Sequence, residues 1–254
     1  MQDRTFLFIT ANDNEFIAFR EKFTIEKTES FGHGFNCTFG KFGNYKVWHY
    51  HLSVHGVKVQ VEIMNIIEFI KPDAIILVGI AAGGYNQKLG DVLVSEKIIY
   101  YDFPNIKGTI NPRDEVFTCG EVLYQLFKSS DNHFELQNDN KVHFGEMFSF
   151  SQLLNSAKNK KEVFASRNYK AIGHEMEGFI VARACRDKNI SQWIIVKGVC
   201  NIDDGTKDVD WQLQAAQNAV SYCHYVFLQL VYLCEQALVL LYHSYQEQQS
   251  LIRF

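Results

Sequence analysis

Four short segments hold the residues best suited to chemistry: Asn12-Asp13-Asn14-Glu15, Gly79-Ile80-Ala81-Ala82-Gly83-Gly84, Glu175-Met176-Glu177 and Cys200-Asn201-Ile202-Asp203-Asp204. Each follows an apolar, strand-like or extended run. In an open α/β sheet, ligands sit beyond the carboxyl ends of strands, so these segments are candidate lining of one small-molecule site. Glycines in the second allow close approach of backbone to ligand, although tight packing produces the same pattern. No Gly-Lys-Ser/Thr follows, so it is not a Walker loop. The acids of His174-Glu175-Met176-Glu177-Gly178 stand at a predicted helix start, where a carboxylate often only complements the helix dipole. Other chemistries have weaker support. His49, His51 and His55 lack a Cys or carboxylate at ligand spacing, so they read as surface or interface histidines rather than a metal site. No Gly-x-Ser-x-Gly nucleophile elbow is present.

The elements that must position these segments alternate along the chain. Phe6–Thr10 reads as a strand, followed by a helix from Asn14 to Phe23. Short strands are predicted at Phe35–Phe39 and Tyr45–His51, with turn chemistry at Gly40 and Gly43-Asn44. A helix over Val57–Ile70 ends before Lys71-Pro72. Asp73–Val78 is continuously apolar after its first residue, as expected of a strand buried on both faces. Further strands are predicted at Asp91–Tyr100, Val142–Ser149 and Trp193–Val199, with a short extended piece at Ala171–Gly173. Helices are predicted at Glu121–Ser129, Gln152–Phe164, Met176–Asp187 and Trp211–Tyr245. Residues 101–116 and 130–140 read as loops. This alternation predicts one α/β domain: a three-layer sandwich with a central mixed sheet flanked by helices.

Bulk properties narrow the classes. The 254 residues are 47% hydrophobic and 21% charged, enough apolar material for a sizeable core and too little charge for disorder. The net charge of −4 shows no basic excess of the kind that marks a nucleic-acid surface. The N-terminus lacks the features of a signal peptide, and six cysteines without a C-x-x-C pair read as reduced thiols, so a cytoplasmic protein is expected. Tyr222–Tyr242 is apolar but holds His224, Gln229, Glu235 and Gln236. A buried or interface helix is therefore expected there rather than a membrane span.

In order along the chain, Ile9–Glu15, Lys71–Gly84, Leu89–Ser95, Glu175–Gly178 and Val196–Asp204 resemble the superfamily of nucleoside phosphorylases, uridine phosphorylases and methylthioadenosine nucleosidases. The resemblance covers roughly residues 5 to 232. It implies a nucleoside phosphorylase-like domain over 1–232 and leaves 233–254 as a C-terminal helical extension. Asp204–Gln212, with Ala215, Ala216 and Ala219, is similar to the version of this domain joined to immune-type NTPases and other defence or signalling modules.

The resemblance implies cleavage of the N-glycosidic bond of a purine nucleoside or nucleotide, with no cofactor and no metal. Glu177, beside Met176, would hold the ribose hydroxyls, and Glu15 would position or deprotonate the attacking water. The purine would lie near Phe148, with backbone contacts from Leu153 and Leu154. Gly79, Ile80, Ala81, Glu175 and Asp203 complete the expected lining. Asn201 departs from the family pattern, which has a proton-donating aspartate there. An asparagine donates a hydrogen bond but supplies no proton, leaving two readings: an active nucleosidase, or a nucleotide-binding sensor or assembly subunit. The first loop carries no arginine for phosphate, which favours water as nucleophile. Lys41, Lys46, Lys107 and Arg113 remain unassigned candidates for substrate phosphates. A homo-oligomer, a defence or signalling partner, and neither nucleic acid nor membrane contact complete the expectation.

Overall fold

The computed structural model describes residues 4–31, 35–52, 58–84, 86–101, 115–150, 170–202 and 211–251. In chain order the elements are β1 (Thr5–Thr10), α1 (Asp13–Lys22), β2 (Lys27–Phe31), β3 (Phe35–Phe42), β4 (Tyr45–His51), α2 (Lys58–Ile70), β5 (Ala74–Gly83), β6 (Val92–Tyr101), β7 (Glu115–Thr118), α3 (Glu121–Ser130), β8 (Val142–Phe150), β9 (Gly173–Glu175), α4 (Gly178–Asp187), β10 (Trp193–Asn201) and α5 (Trp211–Leu251). The predicted helix at 152–164 lies outside the described residues.

The strands form one mixed sheet. β4, β1, β5 and β10 run parallel in that order. β3 and β2 extend the β4 edge antiparallel. At the other side, β10 pairs antiparallel with β6, β6 runs parallel to β8, β8 to β9, and β9 returns antiparallel to β5. Strands β5, β9, β8, β6 and β10 thus close a circuit, and β7 hangs on β6.

Both faces are covered, which explains the continuous apolar strands. Alternate residues Leu7, Ile9, Ile75, Leu77 and Ile195 pack with Ile63, Ile66 and Ile67 of α2 and with Val181, Ala182 and Cys185 of α4. The intervening Phe6, Phe8, Ile76, Val78, Ile194 and Val196 pack with Phe19 of α1, Phe127 of α3, and Ala216, Val220 and Phe227 of α5. This is the expected three-layer arrangement.

Several boundaries differ from the sequence reading. β5 continues to Gly83, so Gly79–Gly83 is strand rather than loop. Its extension is paired, Gly79 opposite Lys197, Ile80 opposite Gly198 and Ala82 opposite His174. Small side chains leave that ladder intact. His174 and Glu175 lie on β9, and α4 begins only at Gly178. Strands β2 and β7 were not expected. Their alternation is mostly exposed, which leaves little apolar signal. Cys37, Cys119, Cys185, Cys200 and Cys223 are free thiols. Among the described residues no helix is long and apolar enough to cross a membrane.

Candidate active site

The carboxyl ends of β1, β5 and β10 meet at a buried lysine. Lys197 sits mid-strand in Trp193-Ile-Ile-Val-Lys197-Gly198-Val199 and is fully buried. Its Nζ lies 3.8 Å from Glu15 Oε1, 4.0 Å from Glu175 Oε2 and 3.5 Å from Glu177 Oε2. A buried ammonium needs such partners, because isolated charge is costly away from water. The three carboxylates hold its pKa above the usual lysine value, against the opposing effect of burial.

Glu15 is placed by the first turn of α1. Asn12 caps that helix: its side chain accepts from Glu15 N at 3.1 Å, while Asn12 N donates back to the Glu15 carboxylate. Ala11 N donates to Glu15 Oε2 at 2.6 Å, and Ile80 N donates to Glu15 Oε1 at 2.8 Å. Gly79 lies under the same carboxylate, so a Cβ there would overlap Glu15 Oε1. Burial raises the Glu15 pKa most strongly. Lys197 opposes that shift, the Glu177 charge adds to it, and the bonds from Ala11 and Ile80 lower it. A carboxylate raised in this way holds a proton more readily than an exposed one, which suits it to act as a base.

Glu175 and Glu177 divide their work. Glu175 is buried, and its Oε2 accepts from Glu177 N at 2.9 Å and Gly178 N at 2.7 Å. It thereby closes the N-terminus of α4 and fixes the backbone of Glu177. Burial pushes its pKa up to about 7, with Lys197 opposing and Glu177 reinforcing the shift. Glu177 keeps 22% of its side chain exposed, so of the three acids it offers a carboxylate to a ligand.

The other expected residues are placed as follows. Met176 is half-buried beside Glu177, and Ile80 contributes its backbone N–H to Glu15. Ala81 is buried in the core, its carbonyl accepting from Cys200 Sγ at 3.5 Å. Phe148 is buried on β8, opposite His174, with its ring stacked on Phe150. Asn201 ends β10 opposite Ala82, just past a register shift, and is half-buried. Leu153, Leu154 and Asp203 lie outside the described residues, as do Lys107 and Arg113. Lys41 and Lys46 pair across the β3–β4 hairpin, at the amino end of β4 and so at the far end of the sheet from Glu15. That position removes them as phosphate ligands of this site. His49 is 2% exposed and thus not a surface histidine. Its Nε2 lies 2.9 Å from Thr10 Oγ1, and its ring stacks on Phe19.

Lys197 is the residue that sequence reasoning missed. The signal was available: a lysine inside a buried apolar strand must meet an acid, because lysine is almost never fully buried unpaired.

The sequence matches the family model described as Phosphorylase superfamily over residues 5–231. It is 29% identical over 181 residues to the 5′-methylthioadenosine/S-adenosylhomocysteine nucleosidase of Buchnera aphidicola subsp. Acyrthosiphon pisum (strain Tuc7), covering 68% of this chain and 75% of that protein. The fold is similar to the crystal structure of the Neisseria meningitidis 5′-methylthioadenosine/S-adenosylhomocysteine nucleosidase in complex with methylthio-immucillin-A. The TM-score is 0.75 at 21% identity, over 88% of this chain and 98% of that one. A futalosine hydrolase mutant of Helicobacter pylori strain 26695 gives a TM-score of 0.75 at 18% identity, over 89% and 99%. At these identities the structural likeness establishes the fold.

Proposed function

The chain belongs to the phosphorylase superfamily, and on that premise we propose that it hydrolyses the N-glycosidic bond of a purine nucleoside or nucleotide, releasing the free base. The observation that carries this reading is the Glu15–Lys197–Glu177 cluster at the carboxyl ends of the parallel strands. Hydrolysis passes through a ribosyl cation-like state, which a partly open carboxylate stabilises by gripping the sugar hydroxyls. Glu177 supplies that grip. Glu15, buried and raised in pKa, takes a proton from water as its oxygen bonds to the sugar carbon. The carbon–nitrogen bond breaks, and its electron pair leaves on the purine. Asn201 donates a hydrogen bond to that base, which then takes its proton from solvent. The resemblance implies that the purine lies near Phe148 and that Met176 stands beside the ribose grip, with Gly79, Ile80 and Ala81 in the lining; Leu153, Leu154 and Asp203, implied for the same pocket, lie outside the described residues.

Charge favours water over phosphate as the nucleophile. Lys197 is already surrounded by three carboxylates, so an incoming phosphate would meet net negative charge. The nucleosidase and hydrolase names of the relatives support the same choice. The resemblance of residues 204–212 to defence-associated domains supports a role as a defence effector; the free thiols support a cytoplasmic setting, and the exposed Leu228, Tyr232 and Leu233 of α5 support a homo-oligomer.

Asn201 supports a second reading, a nucleotide-binding sensor that kept the pocket and lost the acid. Base release from adenosine, inosine, methylthioadenosine, AMP and ATP, with and without phosphate, tests the first. No free base from any of them sinks it, and strict phosphate dependence makes the protein a phosphorylase. Asn201→Asp separates the readings: gained activity marks a disarmed pocket, and lost activity assigns the native reaction to Asn201.

A further inference from the structure

The face of β2, β3 and β4 beside α1 is unusual for a sheet next to a helix, because it is lined with polar groups instead of apolar ones. Thr28 lies opposite Thr38, and Thr38 opposite His49, in one row across the three strands. Ser30 and Asn36 pair in the neighbouring row, with Ser30 Oγ donating to Asn36 Oδ1 at 2.6 Å. Thr10 Oγ1 bridges the two histidines, 2.9 Å from His49 Nε2 and 3.0 Å from His51 Nδ1, and Thr38 Oγ1 lies 3.3 Å from His49 Nδ1. Phe16 of α1 lies against both imidazoles. Thr28, Asn36, Thr38, His49 and His51 bound a cavity of about 400 Å³, with Phe16, Ile25, Phe35 and Tyr50 as its apolar lining and Arg20 on its wall.

The charges in this cavity differ from those of the Glu15 cluster. His49 has both ring nitrogens engaged by hydroxyls, and burial drives its pKa down to about 3, so it forms a neutral floor. Arg20 is exposed, with its guanidinium over the Phe16 ring, and makes no ion pair among the described residues. Among the described residues, no carboxylate lines the cavity. Asp13 stands at its rim, 97% exposed and 3.6 Å from His51 Nε2. An available guanidinium above hydroxyl, amide and imidazole groups suits an oxyanion.

We propose that this cavity is a second ligand site, which takes a small phosphate- or carboxylate-bearing molecule through Arg20, with Asn36 and His51 bonding its remaining oxygens. The site is distinct from the reactive cluster, whose three carboxylates repel such a group. The proposal does not rest on the nucleosidase reading, because binding at Arg20 is measured without turnover.

Calorimetric titration of the full chain with inorganic phosphate, glycerol 3-phosphate and succinate, none of which carries a ribose or a glycosidic bond, tests the proposal independently of any base release. Saturable binding of at least one probe is expected. Arg20→Ala and Asn36→Ala should each weaken it by about tenfold or more, while Glu177→Gln leaves it unchanged. Both altered positions are exposed, so the variants should keep the wild-type melting temperature. Binding of inorganic phosphate and glycerol 3-phosphate without succinate binding identifies a phosphate ligand, and the reverse identifies a carboxylate. The proposal is overturned if no probe saturates below about 10 mM, or if Arg20→Ala binds like wild type. Binding lost with Glu177→Gln and kept with Arg20→Ala overturns it equally, by placing the ligand in the reactive cluster.

Discussion

Lys197 sets the chemistry of its neighbours, because three acids converge on one buried cation. Replacing it by methionine leaves those acids without their counter-charge. Lys197→Met should lose about 3–5 kcal/mol near neutral pH and recover part of that toward about pH 5, where the carboxylates take up protons. Chemical denaturation at the two pH values checks this, and equal losses at both would refute it. Glu175 gives a related pH dependence. Its folded pKa, about 7, lies above the ordinary 4.5, so the folded state holds the proton more tightly. The stability this confers is complete below about 4.5 and is lost as pH rises through about 7. Glu175→Gln, a neutral isostere, should therefore flatten the fall in melting temperature across that window. An unchanged pH profile would count against the assignment. Glu177→Gln should leave stability near wild type, since that side chain is partly exposed, and lower base release by about 10²–10³-fold. The acids at 15, 175 and 177 were legible as candidates because each follows a strand. Their common partner and the capping role of Glu175 were not, because both depend on pairings between segments far apart in sequence.

Two glycines show how closely the elements approach one another. Gly79 on β5 lies directly beneath Glu15, which is anchored on α1. Gly79→Ala should push that carboxylate off its bonds to Ala11 and Ile80 and cost about 10²-fold or more in turnover, with the fold retained. Wild-type turnover in this variant would show that Glu15 placement does not matter. Gly198 on β10 has the backbone of α5 at its Cα: an added Cβ would overlap the Ala215 carbonyl. Backbone yields less readily than a side-chain tip, so Gly198→Ala should destabilise by about 1–3 kcal/mol or more, measurable by thermal denaturation. The small-residue run 79–83 carries no apolar alternation, so nothing local to it marks a continuation of the strand past Val78. Pairing to β10 and β9 makes it strand, a long-range contact that local propensity does not encode.

At the scale of the molecule, α5 joins the layers. It packs on β10 and on α1, with Asn14 Nδ2 donating to Gln212 Oε1 at 3.1 Å, and continues to Leu251, beyond the last residue matched to the family. Leu228, Tyr232 and Leu233 are exposed apolar residues on this helix. A chain truncated after Tyr232 should keep its melting temperature within a few degrees and form particles of fewer copies, read as light-scattering mass divided by chain mass. An unchanged number of copies would refute a role of the extension in assembly. Three layers, the burial of β5 and β10, and the family were all legible in the chain, because alternation of apolar strands and helices and five ordered segments are local properties of it. Tertiary structure alone decided the closure of the sheet through β5 and β10, the convergence of Glu15, Glu175 and Glu177 on Lys197, and the polar cavity beside α1. Each of these depends on which strands become neighbours, and strand adjacency is fixed by packing across the whole sheet rather than by any single segment.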